Sequence, residues 1–175
     1  MWYNPFICED MPFLGPSGPG PRGRNWRQKV RTMDQENGTR LYIVVPCYNE
    51  EEVLPETARR LREKLEGLIG AGTLSPESRV LFVNDGSRDR TWETIQAQTQ
   101  RYAQVRGVRF SRNFGKEAAI FAGLAQSRGD CTVVMDCDLQ HPPEKVVEMY
   151  RLWQQGYQVV EGVKASRGKE NPLHT

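Results

Sequence analysis

The chain has 175 residues, which is long enough for one domain with a buried core. Its formal net charge of +2 is too balanced to indicate a nucleic-acid-binding protein, and we expect no nucleic-acid partner. No apolar run approaches the roughly 18 residues that a membrane span requires, and the N-terminus lacks the basic-then-apolar pattern of a signal peptide.

The first 38 residues differ in composition from the rest of the chain. The stretch MPFLGPSGPGPRGRNW alternates proline with glycine, so it buries too little apolar surface to offset the entropy of ordering it. Its basic end could contact anionic lipid, although a solvated tail is the simpler interpretation. Met33 is an alternative start. We expect residues 1–38 to be a disordered or spurious tail and residues 39–175 to form the folded domain.

From residue 41 the chain alternates apolar, strand-like segments with amphipathic, helix-like ones. Strands are predicted at LYIVVP (41–46), RVLFVN (79–84), GVRFS (107–111), CTVVM (131–135) and YQVVEGV (157–163). Helices are predicted at about 51–69, 90–104, 115–127 and 142–155. Continuous Val, Ile and Leu strands separated by helices are typical of parallel βαβ units. The sequence therefore predicts an α/β fold with an open, mainly parallel sheet and helices on both faces.

Three of the predicted strands end in polar clusters, namely PCYNE, NDGSRD and DCDLQH. In open parallel sheets, ligands bind beyond the carboxyl ends of the strands, and these ends meet at one edge. The clusters carry four acidic residues to that edge: Glu50, Asp85, Asp136 and Asp138. We interpret this convergence as a site.

The aspartate pair in DCDLQH is the first candidate for metal binding. Residues two apart in extended backbone face the same side, so Asp136 and Asp138 can face one point. With the amide oxygen of Gln140 they form an oxygen-only set that suits Mg²⁺ or Mn²⁺. The alternative is that Asp138 merely caps a turn or the following helix. The other two clusters favour the metal-ligand interpretation.

Three further residues are candidates for nucleotide contacts. Asp85 is placed to accept hydrogen bonds from a ribose or base, although NDGS is also ordinary turn chemistry and Asp89 or Thr91 can cap the next helix. Tyr48 could lie against a base or pack in the core. Lys116, in the first turn of its helix, opposes the helix dipole; a bound phosphate would explain this, as would simple solvation.

Other site types do not fit the sequence. The four cysteines show no CxxC spacing and the two histidines form no HExxH motif, so a reduced, cytoplasmic protein without a zinc site is expected. GxGxxG after the first strand, GxxxxGK[ST] and GxSxG are all absent. A haloacid dehalogenase-type phosphatase remains an alternative because its nucleophile lies in a strand-terminal DxD. Gln140 and the proline pair do not fit that pattern.

Four segments resemble, in order and spacing, those of family 2 glycosyltransferases: IVVPCYNEEEVL, VNDGSRDRTWETI, SRNFGKEAAIFAGLAQSRGD and MDCDLQHPPE. The branch they are most similar to contains dolichol-phosphate mannose synthases and bacterial polyprenyl-phosphate sugar transferases. The resemblance covers about residues 41–170. It implies a GT-A fold with a Rossmann-like nucleotide-binding half, a UDP- or GDP-linked hexose as donor, Mg²⁺ or Mn²⁺, and inversion at the anomeric carbon.

The resemblance also implies roles for individual residues. With Lys116 added on the helix-dipole argument above, the nucleotide-binding candidates are Pro46, Tyr48, Glu50, Val83, Asp85, Lys116, Asp136 and Cys137. The metal candidates are Asp136, Asp138 and Gln140. The catalytic candidates are Asp138, Lys164 and Arg167. Lys164 and Arg167 are included because the family has an arginine after the fifth strand, and this chain has Lys164 there, with Arg167 and Lys169 close behind. Lysine keeps the charge but lacks the bidentate fork of arginine.

The implied acceptor is a polyprenyl or dolichyl phosphate on the cytoplasmic face of a membrane. Its phosphate is largely ionised at neutral pH, so no general base is required. The family continues beyond the position of Thr175 with the acceptor half of the domain. We therefore expect residues 39–175 to be incomplete at the C-terminus, with any membrane anchor outside this chain. The alternative is a nucleotide-sugar-binding remnant without transferase activity.

Overall fold

The computed structural model describes residues 38–138 and 142–162. In these ranges strands and helices alternate along the chain. The strands are β1 (Leu41–Cys47), β2 (Arg79–Asn84), β3 (Val105–Arg109) and β4 (Cys131–Val134). The helices are α1 (Leu54–Gly70), α2 (Thr91–Arg101), α3 (Lys116–Gln126) and α4 (Glu144–Gln154).

The four described strands form one parallel sheet in the order β3-β2-β1-β4. Val44, in the middle of β1, pairs with Leu81 of β2 and with Val134 of β4. At the carboxyl end Cys47 pairs with Asn84, so β1 and β2 finish side by side. The predicted open, parallel α/β sheet is confirmed, and the polar segments that follow these strands start from a common edge.

Alternate residues of β1 pack into separate apolar clusters on the two faces of the sheet. Ile43 and Val45 belong to the larger cluster, with buried side chains of α1, α2 and α4. Val44 faces the other way and packs with Val83 and with Ala119 of α3. Helices therefore cover both faces, as the continuous apolar strands predict.

Helix α3 approaches the sheet more closely than a larger side chain would permit. A Cβ on Gly123 would lie 2.3 Å from Val44 Cγ1 and 3.2 Å from Val83 Cγ2. The absence of a side chain at this position lets the helix rest directly on β1 and β2. This contact fixes the height of α3 above the sheet and with it the position of Lys116 at the start of the helix.

The predicted fifth strand is wrong where the structure describes it. Residues 157–162 form no strand, and Val159 is 88% exposed. An apolar run becomes a strand only when a neighbouring backbone pairs with it, and β4 has no second partner among the described residues. The third strand also begins two residues earlier than expected, at Val105. Val163 and residues 1–37 of the predicted tail lie outside the described ranges.

None of the helices in the described part of the chain has both the length and the apolar character needed to cross a membrane.

Gly123→Ala should lower the free energy of unfolding by about 1–3 kcal/mol, because the added methyl group overlaps Val44. Gly67→Ala is the matched control, since a Cβ there meets nothing within 4 Å; it should stabilise α1 by up to about 1 kcal/mol. Urea-denaturation midpoints compare the two variants with the parent. A Gly123→Ala protein as stable as the parent would contradict the close approach of α3.

Candidate functional site

An open cavity of about 280 Å³ lies at the carboxyl edge of the sheet, between the ends of β1, β2 and β4 and the start of α3. Its lining includes most of the predicted site residues: Pro46, Tyr48, Glu50, Asp85, Lys116, Asp136, Cys137 and Asp138. Val83 does not reach the cavity and is fully buried beneath it. Gln140, Lys164 and Arg167 lie outside the described residues.

The loops that follow β1 and β2 are joined by hydrogen bonds from backbone to side chain in both directions. We call these two loops, residues 48–51 and 85–91, the loop bracket. The Asn49 N–H donates to Ser87 Oγ at 3.0 Å, and the Arg88 N–H donates to Asn49 Oδ1 at 2.9 Å. Asn49 has a φ of 54°, a left-handed conformation that asparagine adopts more readily than most residues.

The exchange continues along the loop bracket. The Glu50 N–H donates to Thr91 Oγ1 at 2.8 Å, and the Glu51 N–H donates to Asp89 Oδ2 at 3.1 Å. In return the Arg90 N–H donates to Glu51 Oε2 at 2.8 Å. The backbone of Glu50 is thus held on both sides, which keeps this residue at the cavity wall.

Sequence reasoning missed the loop bracket. It assigned Ser87 to a turn and Asp89 or Thr91 to a helix cap, and it gave Asn49 and Glu51 no role. A signal was present, because two polar clusters at the ends of neighbouring parallel strands both contain side chains that can accept or donate hydrogen bonds. Pairing between the clusters satisfies backbone groups that the sheet edge would otherwise leave to water.

Asp85 fastens the segment before α3 to the end of β2. Its side chain is 2% exposed. Oδ1 accepts the Phe114 N–H at 2.7 Å, and Oδ2 accepts the Gly115 N–H at 2.9 Å. The next residue, Gly86, has a φ of 63° and comes so close to the backbone of Arg112 that a Cβ would lie 2.2 Å from its carbonyl carbon. The predicted contact of Asp85 with a nucleoside stays a prediction.

Lys116 and Asp136 form an ion pair beside the cavity. Lys116 Nζ lies 2.6 Å from Asp136 Oδ1, and the two side chains are 53% and 37% exposed. Lys116 is the first residue of α3, where the helix dipole disfavours a cation. Asp136 supplies the opposite charge that this position needs.

The segment that contains the aspartate pair is anchored through its middle residue. Cys137 is 2% exposed and packs in the main core, and its carbonyl accepts the Thr57 hydroxyl of α1 at 2.6 Å. The Cys47 thiol donates to the Val45 carbonyl at 3.4 Å, and its interaction with Cys137 together with burial raises the pKa of this thiol well above its ordinary value. The anchor holds the flanking residues Asp136 and Asp138 at the cavity.

The carboxylate oxygens at the cavity are of the chemical type that binds a divalent cation. Asp136 and Asp138 both line it, and Asp136 already binds one cation, the Lys116 ammonium. Carboxylate oxygens are the ligands that Mg²⁺ and Mn²⁺ prefer. Among the described residues no group of three or more His, Cys, Asp or Glu side chains is arranged to hold a metal. The third predicted ligand, Gln140, is outside that part of the chain.

Negative charge accumulates at the cavity and acts on Glu50. Burial raises the pKa of the Glu50 carboxyl above its ordinary value, and the charges of Asp138, Asp89 and Asp136 raise it further. Burial and the neighbouring carboxylates therefore both disfavour ionisation of Glu50.

The sequence matches the family described as "Glycosyl transferase family 2" over residues 42–174. The chain belongs to this family. The haloacid dehalogenase-type alternative is therefore wrong, and the resemblance of the four ordered segments is confirmed.

Curated relatives in the family share about two fifths of the aligned residues. The "Uncharacterized glycosyltransferase YkcC" of Bacillus subtilis is 43% identical over 128 residues, which are 73% of this chain and 38% of that protein. The "Undecaprenyl-phosphate 4-deoxy-4-formamido-L-arabinose transferase" of Pseudomonas aeruginosa is 42% identical over 126 residues, 71% of this chain and 35% of that protein. The chain thus spans well under half the length of these relatives.

A solved structure supports the fold. The glucosyl-3-phosphoglycerate synthase of Mycobacterium tuberculosis superposes with a TM-score of 0.51 at 22% identity, covering 73% of this chain and 44% of that one. The match confirms the GT-A type of α/β fold predicted from the resemblance.

Asp85→Asn should lower the free energy of unfolding by about 1–3 kcal/mol. An amide side chain can accept only one of the two N–H groups and turns its own NH₂ donor toward the other. Glu52→Gln, the same chemical change at an exposed carboxylate, is the control and should leave stability unchanged. Equal denaturation midpoints for both variants would contradict the fastening role of Asp85.

Glu50→Gln should raise the melting temperature at neutral pH in metal-free buffer. The folded state holds the Glu50 proton to a higher pH than the unfolded state, so the free energy of unfolding falls as pH rises through the interval above the ordinary pKa of 4.5. The Glu50→Gln substitution removes this pH-dependent loss of stability. The difference in melting temperature between the variant and the parent should shrink toward about pH 4, where Glu50 is mostly protonated in both the folded and the unfolded protein. Thermal unfolding across this pH range measures it, and a constant offset would argue against the electrostatic cause.

Proposed function

We propose that this chain supplies the donor-binding part of a glycosyltransferase. The donor is a UDP- or GDP-linked sugar, which we take to be a hexose, and the acceptor is a polyprenyl or dolichyl phosphate. The observation that carries the proposal is the cavity at the carboxyl edge of the sheet, which Asp136, Asp138 and Lys116 line together and where Lys116 pairs with Asp136. Acidic oxygens for a metal and a cation for phosphate are what the diphosphate of a nucleotide sugar requires.

The walls of the cavity suit the remainder of the donor. Tyr48 is 41% exposed at the end of β1 and offers an aromatic face to a base. Glu50, held by the loop bracket, can accept hydrogen bonds from a ribose or base. Pro46 and Asp85 complete the nucleoside side of the cavity in this proposal.

The diphosphate lies on the other side of the cavity in this proposal. Asp136, Asp138 and Gln140 would hold Mg²⁺ or Mn²⁺, and a divalent cation there would neutralise charge that develops on the departing nucleoside diphosphate. Lys116, at the N-terminus of α3, would contact the phosphates together with the helix dipole. We propose inversion at the anomeric carbon, as the resemblance to the family implies, with the acceptor attacking from the side opposite the departing diphosphate.

The proposed acceptor is based on the substrate that a relative is named for. The Pseudomonas aeruginosa protein is named as acting with undecaprenyl phosphate. For this chain we propose a lipid phosphate as nucleophile, at the cytoplasmic face of a membrane. Lys164 and Arg167 would guide its negative charge toward the donor, and the ionised phosphate needs no protein base.

Binding of UDP or GDP should depend on Mn²⁺, and Asp138→Asn should weaken metal-dependent binding at least tenfold, about 1.4 kcal/mol. Isothermal titration calorimetry with UDP, GDP and their hexose conjugates, with Mn²⁺ and then with EDTA, measures both effects. Asp130→Asn is the matched control, because Asp130 precedes β4 at the opposite edge of the sheet and pairs with Arg40 there. It should bind nucleotides as the parent does.

Transfer of radiolabelled sugar to a polyprenyl phosphate then separates an enzyme from a nucleotide-sugar-binding remnant. Binding without transfer, in an assay where a longer relative turns over, would favour the remnant. Nucleotide binding that is unchanged in EDTA would overturn the metal-dependent donor site.

A further inference from the structure

The ion pair between Lys116 and Asp136 joins two groups that the proposed function assigns to different ligands. Asp136 is a proposed metal ligand, and Lys116 is a proposed phosphate contact. In the structure they bind each other, with Nζ 2.6 Å from Oδ1. An ammonium group at that distance covers an oxygen that a metal ion would use, and its charge opposes a second cation nearby.

The backbone of Lys116 is fixed while its side chain is free to turn. The preceding residues are held by Asp85 through the N–H groups of Phe114 and Gly115. Gly123 seats the rest of the helix against the sheet. The Lys116 side chain itself is half exposed and has several rotatable bonds. Its ammonium can therefore leave Asp136 without any movement of α3.

A second anionic partner can stabilise the charge of a lysine in this position. It lies at the N-terminus of α3, where the helix dipole disfavours its charge, so a negative partner stabilises it. Asp136 is that partner in the structure. The diphosphate of a donor bound at the same cavity can replace Asp136, because phosphate oxygens accept charge-assisted hydrogen bonds from ammonium groups.

We propose that Lys116 is an internal counter-ion that competes with the divalent cation for Asp136 and is released to the diphosphate when metal and nucleotide bind together. This inference rests on the proposed function. Metal alone must displace the lysine without offering it another partner, so metal alone binds weakly. When metal and nucleotide bind together, the diphosphate becomes the new partner of the lysine, so each ligand raises the affinity of the other by the same factor. Lys116 thereby favours loading of the metal–nucleotide complex over loading of the bare metal.

The proposal predicts that one substitution has opposite effects on metal binding and on nucleotide binding. Lys116→Gln should tighten Mn²⁺ binding in the absence of nucleotide, by about thirtyfold if the removed charge lies some 4 Å from the divalent ion and is screened as in bulk water. The same substitution should weaken UDP or GDP binding in the presence of Mn²⁺. A lysine that served only to bind phosphate would produce the second effect without the first.

The test is titration of Mn²⁺ followed by the electron paramagnetic resonance signal of the free ion, first alone and then with saturating UDP or GDP. The variants are Lys116→Gln and Lys116→Ala, which remove the charge, and Lys116→Arg, which keeps it and should stay close to the parent. Lys145→Gln is the control for net charge, because Lys145 pairs with Glu148 on α4, away from the cavity. Circular dichroism melts confirm that each variant is folded.

Tighter Mn²⁺ binding in both charge-removing variants, with a smaller mutual enhancement between Mn²⁺ and nucleotide, is the expected result. Unchanged or weaker Mn²⁺ binding in these variants would overturn the exchange. If nucleotides do not bind at all, the proposed function fails, yet the comparison of Mn²⁺ alone still decides whether Lys116 competes for Asp136. If neither the parent nor any variant binds Mn²⁺, both proposals are wrong.

Discussion

The position of every charged group on the α3 side of the cavity depends on the buried carboxylate of Asp85. It accepts the N–H groups of Phe114 and Gly115, so the end of β2 and the start of α3 behave as one unit. A carboxylate removed from water is stable only when such donors replace its hydration. These two bonds hold Gly115, which has a φ of 100°, in place before the helix. Lys116 follows directly, and its reach to Asp136 follows from that.

The sheet and the general location of the site were predictable, because both depend on local pattern. Continuous apolar residues in β1 and β2 require cover on two faces, and parallel strands bring their carboxyl ends to one edge. The partners of individual side chains were not predictable in the same way. The nucleoside contact of Asp85 stays a prediction, whereas its hydrogen bonds to backbone groups 29 and 30 residues away were not foreseen, because no periodicity encodes them. The fifth strand was wrong for a related reason, since pairing depends on a neighbour that the apolar run does not specify.

Much of the polar sequence near the cavity serves to build its wall. In the loop bracket the side chains of Asn49, Ser87, Asp89 and Thr91 bind backbone groups of the facing loop or of their own loop. They hold Tyr48 and Glu50 at the cavity and leave those two for a ligand. A polar motif at a sheet edge therefore contains two kinds of residue, and only burial and hydrogen-bond partners separate them. This division explains why a rigid rim can form from loops without a regular element of their own.

The electrostatic balance of the cavity supports the proposed ligand. Among the described residues that line it, Glu50, Asp136 and Asp138 carry carboxylates and Lys116 carries an ammonium group, while Asp85 accepts two backbone N–H groups. Burial is the main cause of the raised pKa of Glu50, and the charges of Asp138, Asp89 and Asp136 add to it. A nucleotide sugar brings further negative charge, so it would be repelled if it entered by itself. In the proposed exchange a divalent cation would offset these carboxylates and release the Lys116 ammonium to the phosphates. Under that proposal the affinity for a diphosphate is conditional on a metal.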